Sequence, residues 1–162
     1  MGKGVHASTL SACYQCGTCT GGCPISKVTN GVYNPRKIII SSLLGLQSRL
    51  VKELRPNVWL CSTCQKCVES CPQGVELTEI FTLLRNMSVR EGTAPAGFTA
   101  QGKTIFETGF TIPIQPAIQR RREKNLGLKP VEEPPVGEVQ TILKATGWVA
   151  ALKLEDKEGG SA

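Results

Sequence analysis

Residues 13–24 read CYQCGTCTGGCP, and forty-eight positions further on residues 61–72 read CSTCQKCVESCP. All eight cysteines of the 162-residue chain lie in these two copies of Cys-x2-Cys-x2-Cys-x3-Cys-Pro. Any fold must therefore bring two dense groups of thiols into places where they are chemically satisfied. Disulfides would do so only in an oxidising compartment, and eight cysteines admit 105 pairings with nothing to choose among them. The N-terminal stretch MGKGVHASTL has no apolar leader core, so a secreted, disulfide-stapled protein is not the expectation. Structural zinc takes two Cys-x2-Cys pairs, or a Cys pair with a His pair, and has no use for a third thiol at the same interval. Here the thiols come as three plus one.

Three plus one, followed by proline, is the ligand run of the bacterial two-cluster ferredoxins. A 4Fe-4S cubane presents four iron corners; three thiolates at two-residue intervals wrap three of them from one turn. The fourth Cys of each run ligates the other cluster. Cys13, Cys16, Cys19 and Cys71 are thus assigned to one cluster, and Cys61, Cys64, Cys67 and Cys23 to the other. Gly17, Gly21 and Gly22 are expected to let backbone N–H groups approach the sulfurs, and Pro24 and Pro72 to fix the chain direction after the fourth ligand. Lys66, between two ligands, either favours the reduced cluster or is an ordinary solvated lysine. Tyr14 and Trp59 flank ligands and either shield sulfur from water or simply pack.

Charge agrees with that assignment. Of the formal +6, residues 1–90 hold ten Lys/Arg against four Asp/Glu, whereas residues 91–162 hold nine against nine. Two oxidised clusters with their thiolates would bring the total to about +2. No aromatic-interleaved basic stripe or helix-turn-helix pattern points to nucleic acid. The longest apolar stretch, IIISSLLGL, is too short to span a membrane, and the expectation is a cytoplasmic protein without direct membrane insertion.

Between the two runs, Asn34 and Pro35 read as an N-cap and first helical residue. Ile39, Leu43, Leu46, Leu50 and Leu54 then form one helical stripe that ends at Arg55-Pro56. After the second run, Leu77, Ile80, Leu84 and Met87 repeat that spacing, with Gly92 as the stop. The fold class expected is mainly α: a helical ferredoxin-like domain over residues 1–91, then an extended partner-binding arm over 92–162 with short helices and a frayed tail. Residues 92–137 are rich in Gly and Pro, and Phe106, Phe110, Ile112 and Ile114 suggest an arm lying on another protein of a complex. Short helices are expected within IQPAIQRRREKNLG and GEVQTILKATGWVA; Arg120, Arg121 and Arg122 read as a solvated or partner-facing patch.

Two motifs are set aside. GFTAQGKT (97–104) satisfies the phosphate-loop pattern but lacks the preceding strand that the pattern needs. Asn86-Met87-Ser88 matches a glycosylation acceptor in the middle of a helix. His6, the single histidine, stands apart from both cysteine runs.

Complete thiolate coordination leaves no open iron for a substrate, so the chain is read as a mover of single electrons with no catalytic residue of its own. CYQCGTCTGGCP, NPRKIIISSLLGL, WLCSTCQKCVESCPQGVEL and TEIFTLLRN together resemble the heterodisulfide reductase C subunits. The resemblance is close over residues 10–90 and looser over GFTIPIQPAIQRRREKNLGL. It implies 4Fe-4S ligation by the eight cysteines and a relay from a flavin-containing A subunit, capable of bifurcation, to a cysteine-rich B subunit of CCG type. That second partner would reduce the disulfide of coenzyme M and coenzyme B in methanogenesis-type energy metabolism. A hydrogenase or formate dehydrogenase is a further partner that the resemblance admits. A free two-cluster ferredoxin and the iron-sulfur subunit of a quinone-linked dehydrogenase are the competing readings.

Overall fold

The structure, a computed structural model, describes residues 7–153; His6 and most of the tail expected to fray lie outside the described residues. The chain divides into two compact units, Met1–Ala94 and Pro95–Ala162. Among the described residues all regular structure is helical.

The first unit opens with a 3-10 turn, Ala7–Ala12, and then repeats itself. Helix α1 (Thr18–Gly21) and α2 (Pro24–Val28) carry the first cysteine run into α3 (Pro35–Leu43). A π-helical turn (Ser48–Lys52) and a 3-10 turn (Val58–Leu60) lead to α4 (Lys66–Glu69) and the long α5 (Leu77–Glu91). The start of α3 is as expected: the Asn34 side chain accepts from the Lys37 N–H, and Pro35 occupies the first turn. Its end is not. A single helix along Ile39, Leu43, Leu46, Leu50 and Leu54 does not form, because the chain stops at a Schellman cap. Gly45 adopts φ +66°, its N–H bonds the Ser42 carbonyl, and the Leu46 N–H bonds that of Ser41. Ser42 also turns its hydroxyl back onto the Ile38 carbonyl, which weakens continuation. The break lets Ile38 and Ile39 from one element and Leu50 and Val51 from the next all reach the core, leaving Leu43, Leu44 and Leu46 exposed.

Helix α5 seals that core with Leu77, Ile80, Phe81 and Leu84, and Met87 packs at its edge. Gly92 at φ +76° ends it, with the Thr93 N–H returning to the Ser88 carbonyl. The glycosylation-like Asn86-Met87-Ser88 lies inside this helix with Ser88 fully buried.

The second unit holds α6 (Ala96–Thr108), α7 (Pro116–Leu126), α8 (Val136–Ala145) and α9 (Trp148–Ala151). Extended chain across 92–137 therefore does not describe it. Helix α6 is rich in Gly and Thr, weak helix formers, so local propensity does not announce it. Packing does: buried Gly102 lies against Trp148 and Leu152, α6 packs on α8, and Gln140 Nε2 donates to the Phe106 carbonyl at 3.0 Å. The phosphate-loop lookalike, residues 97–104, lies wholly within α6, with no strand before it among the described residues.

Candidate metal centre

The two cysteine runs share a backbone as well as a pattern. In the first, Gln15 and Gly17 take φ of 66° and 83°; in the second, Thr63 and Gln65, forty-eight positions on, take 57° and 63°. Two left-handed residues in each loop curl the chain tightly between the first and third cysteines. Only Gly17 adopts this without steric cost. A β-branched residue such as Thr63 is a marked outlier there, as expected where a site imposes the conformation. Gly22 has φ −83° and so needs no glycine freedom. Each loop then enters a one-turn helix, α1 or α4, and the two helices pack against each other.

Sulfur environments repeat in the same register. Cys16 and Cys64 are exposed, and hydrogen bonds lower both thiols from the ordinary range: for Cys16 chiefly from the Thr18 side chain, 3.3 Å away, and for Cys64 chiefly from the backbone at Lys66. Cys19 and Cys67 are half-buried, and burial raises both. Cys67 is pushed up to about 12, first by burial and then by the neighbouring thiols of Cys61 and Cys19. A bare thiolate would be unfavourable at these inner positions; a thiolate bonded to iron removes the conflict. The fourth cysteines accept from the backbone, Cys23 Sγ from the Ser26 N–H at 3.4 Å and Cys71 Sγ from the Val75 N–H at 3.3 Å. Such N–H···S contacts suit charged sulfur.

Cys13, Cys16, Cys19 and Cys71 line one cavity, together with Gln15, Arg36 and Ile39 among others. Gln15 Nε2 donates to Cys13 Sγ at 3.2 Å. Around the other run, the Tyr33 hydroxyl is buried with no hydrogen-bond partner, in the core cluster that includes Cys23 and against which Cys61 and Cys67 pack. An orphaned donor in a core shared with three cysteines is what an anionic iron-sulfur group would satisfy, so the residues present fit such a group.

Supports outside the cysteine runs hold the loops. Thr20 Oγ1 donates to Asn34 Oδ1 and accepts from the Arg36 N–H, both at 3.0 Å, tying the first loop to the start of α3. Arg85 of α5 donates to the carbonyls of Val58 and Cys61, and its guanidinium lies 5.5 Å from the Trp59 ring centre. Trp59 Nε1 donates to Ser88 Oγ at 2.9 Å, so this tryptophan is anchored to α5, while Tyr14 stays exposed. Lys66 is exposed, and its Cε lies beside Gly22 of the first run. Sequence reasoning passed over Tyr33, Arg36 and Arg85, because nothing in residue type or spacing distinguishes them before the chain is folded.

The 4Fe-4S dicluster domain family matches residues 9–75. The chain is 36% identical over 154 residues to the C subunit of the H(2):CoB-CoM heterodisulfide,ferredoxin reductase of Methanothermobacter marburgensis, covering 90% of this chain and 80% of that protein. It is 32% identical to the iron-sulfur C subunit of the CoB-CoM heterodisulfide reductase of Methanopyrus kandleri, over 93% of this chain and 79% of the relative. With the C subunit of the ferredoxin:CoB-CoM heterodisulfide reductase of Methanosarcina mazei it shares 34% identity over 75% and 72%. The matched dicluster domain, with eight cysteines in ferredoxin-like spacing, carries two 4Fe-4S clusters. Among the described residues no helix is long and apolar enough to cross a membrane.

Proposed function

The chain belongs to the family of heterodisulfide reductase C subunits, and from that premise we propose that it is the electron-relay subunit of such a complex. In this reading it stands between a flavin-containing A subunit and a disulfide-reducing B subunit of CCG type, in a complex that reduces the heterodisulfide of coenzyme M and coenzyme B. The clusters supply one-electron carriers when bound. The observation that carries the reading is the cavity that gathers Cys13, Cys16 and Cys19 of one run with Cys71 of the other. It supports a crossed ligand set, with Cys61, Cys64 and Cys67 completed by Cys23.

The protein's own residues hold and insulate. Left-handed turns at Gln15, Gly17, Thr63 and Gln65 aim the thiols, the backbone at Ser26 and Val75 donates to sulfur, and Ile39, Val75 and Leu77 exclude water from the first site. No residue here is assigned bond-breaking chemistry. The second unit suits a partner-binding role, since Ile112, Ile118, Leu126 and Ile142 are exposed apolar side chains. Iron-sulfur clusters on cysteine thiolates suit a reducing compartment such as the cytoplasm.

Anaerobic purification from native extract tests the reading. Co-elution with a flavoprotein and a cysteine-rich protein, with about eight irons per copy of this chain, is the expected result. A monomeric, partner-free ferredoxin would overturn it.

A further inference from the structure

Tyr33 is 1% exposed and sits just before α3, its backbone N–H held by Thr29 Oγ1 at 3.1 Å. Its ring meets Phe81 of α5 edge-on, with centres 6.5 Å apart and planes at 78°. The two rings occupy the same register of the sequence repeat: Tyr33 follows Cys23, and Phe81 follows Cys71, by the same interval. The repeat therefore places a phenol in one half and a plain phenyl in the other. A buried hydroxyl without a partner is unfavourable, and packing alone would be served equally well by phenylalanine. Tyr33 belongs to the buried cluster that also holds Cys23, with Cys61 and Cys67 packed against that cluster.

We propose that Tyr33 is a positioning residue that raises the reduction potential of one cluster: its O–H donates to the Cys61 thiolate of the cluster held by Cys61, Cys64, Cys67 and Cys23. This deepens the relay reading and rests on it. Reduction adds one electron and increases the negative charge on sulfur, while the O–H bond stays intact and no proton leaves the tyrosine. The hydrogen bond is stronger in the reduced state, so it raises the potential of that cluster alone.

The test uses anaerobic, cluster-loaded full-length protein, with iron and sulfide counted and both clusters followed by EPR during a redox titration. Tyr33→Phe should lower one midpoint by about 59 mV, a tenfold weaker hold on the electron for a one-electron couple, and leave the other unmoved. Two unmoved midpoints, or two equal shifts, would overturn the proposal with the relay reading intact. Wild-type protein without two clusters would overturn both. Should Tyr33→Phe not load, 3-fluorotyrosine in a Tyr14→Phe background supplies a more acidic phenol at position 33 alone. It should raise the same single midpoint, and no change there would equally sink the idea.

Discussion

Gly17 and Gln65 occupy equivalent turns of the two loops, yet only one is glycine. The left-handed conformation costs a residue with a Cβ about 1–2 kcal/mol. A Cβ on Gly17 would meet only Arg36 Cδ, at 3.8 Å, an ordinary contact. Gly17→Ala should therefore lose about 1–2 kcal/mol from backbone strain alone, and Gln65→Gly should gain about 1 kcal/mol; denaturant midpoints of the loaded protein measure both. Cysteine replacement tests the crossing of ligands. Cys71→Ser should alter the EPR signal that Cys16→Ser alters, and Cys23→Ser should pair with Cys64→Ser. The uncrossed pairing, Cys71 with Cys64, would refute the shared cavity as a ligand set.

At the level of the element, α5 joins core to site. One side buries Leu77, Ile80, Phe81 and Leu84, while Arg85 and Ser88 reach the entry of the second cysteine run through Val58, Trp59 and Cys61. Ser88→Ala removes the acceptor at 2.9 Å from Trp59 Nε1 in a fully buried place. Leaving a buried donor unpaired costs about 1–3 kcal/mol, so stability measured by thermal unfolding should fall by that amount. Because the lost contact positions residue 59, loading of the second cluster should fall more than loading of the first. Equal losses would mean that Ser88 serves only the core.

For the whole molecule, the division at Ala94 and Pro95 predicts separable roles. A fragment of residues 1–94 contains all eight cysteines and the buried cluster of apolar residues around them. It should load two clusters with unaltered EPR spectra but fail to co-purify with partner proteins. Retained partner binding would relocate the interface to the first unit. The excess positive charge belongs to that unit too, so loading should make the fragment less basic, as native electrophoresis of loaded and unloaded forms would show.

The kind of cofactor was legible in the residues because metal coordination depends on intervals along the chain: three thiols per loop, one beyond, and proline after it. Helix α5 was equally plain, since its apolar spacing, Gly92 stop and length agree. Folding decided what local pattern left open. The leucine stripe from Ile39 to Leu54 fits one helix on paper, but Gly45 breaks it so that two short elements bury Ile38, Ile39, Leu50 and Val51 together. Helix α6 exists through Trp148 and Leu152 packed on Gly102, contacts more than forty residues away along the chain. The surroundings of Tyr33 likewise arise only when both halves of the repeat close on one core. Short-range chemistry is written in spacing, whereas burial and the company each side chain keeps are set by distant segments meeting.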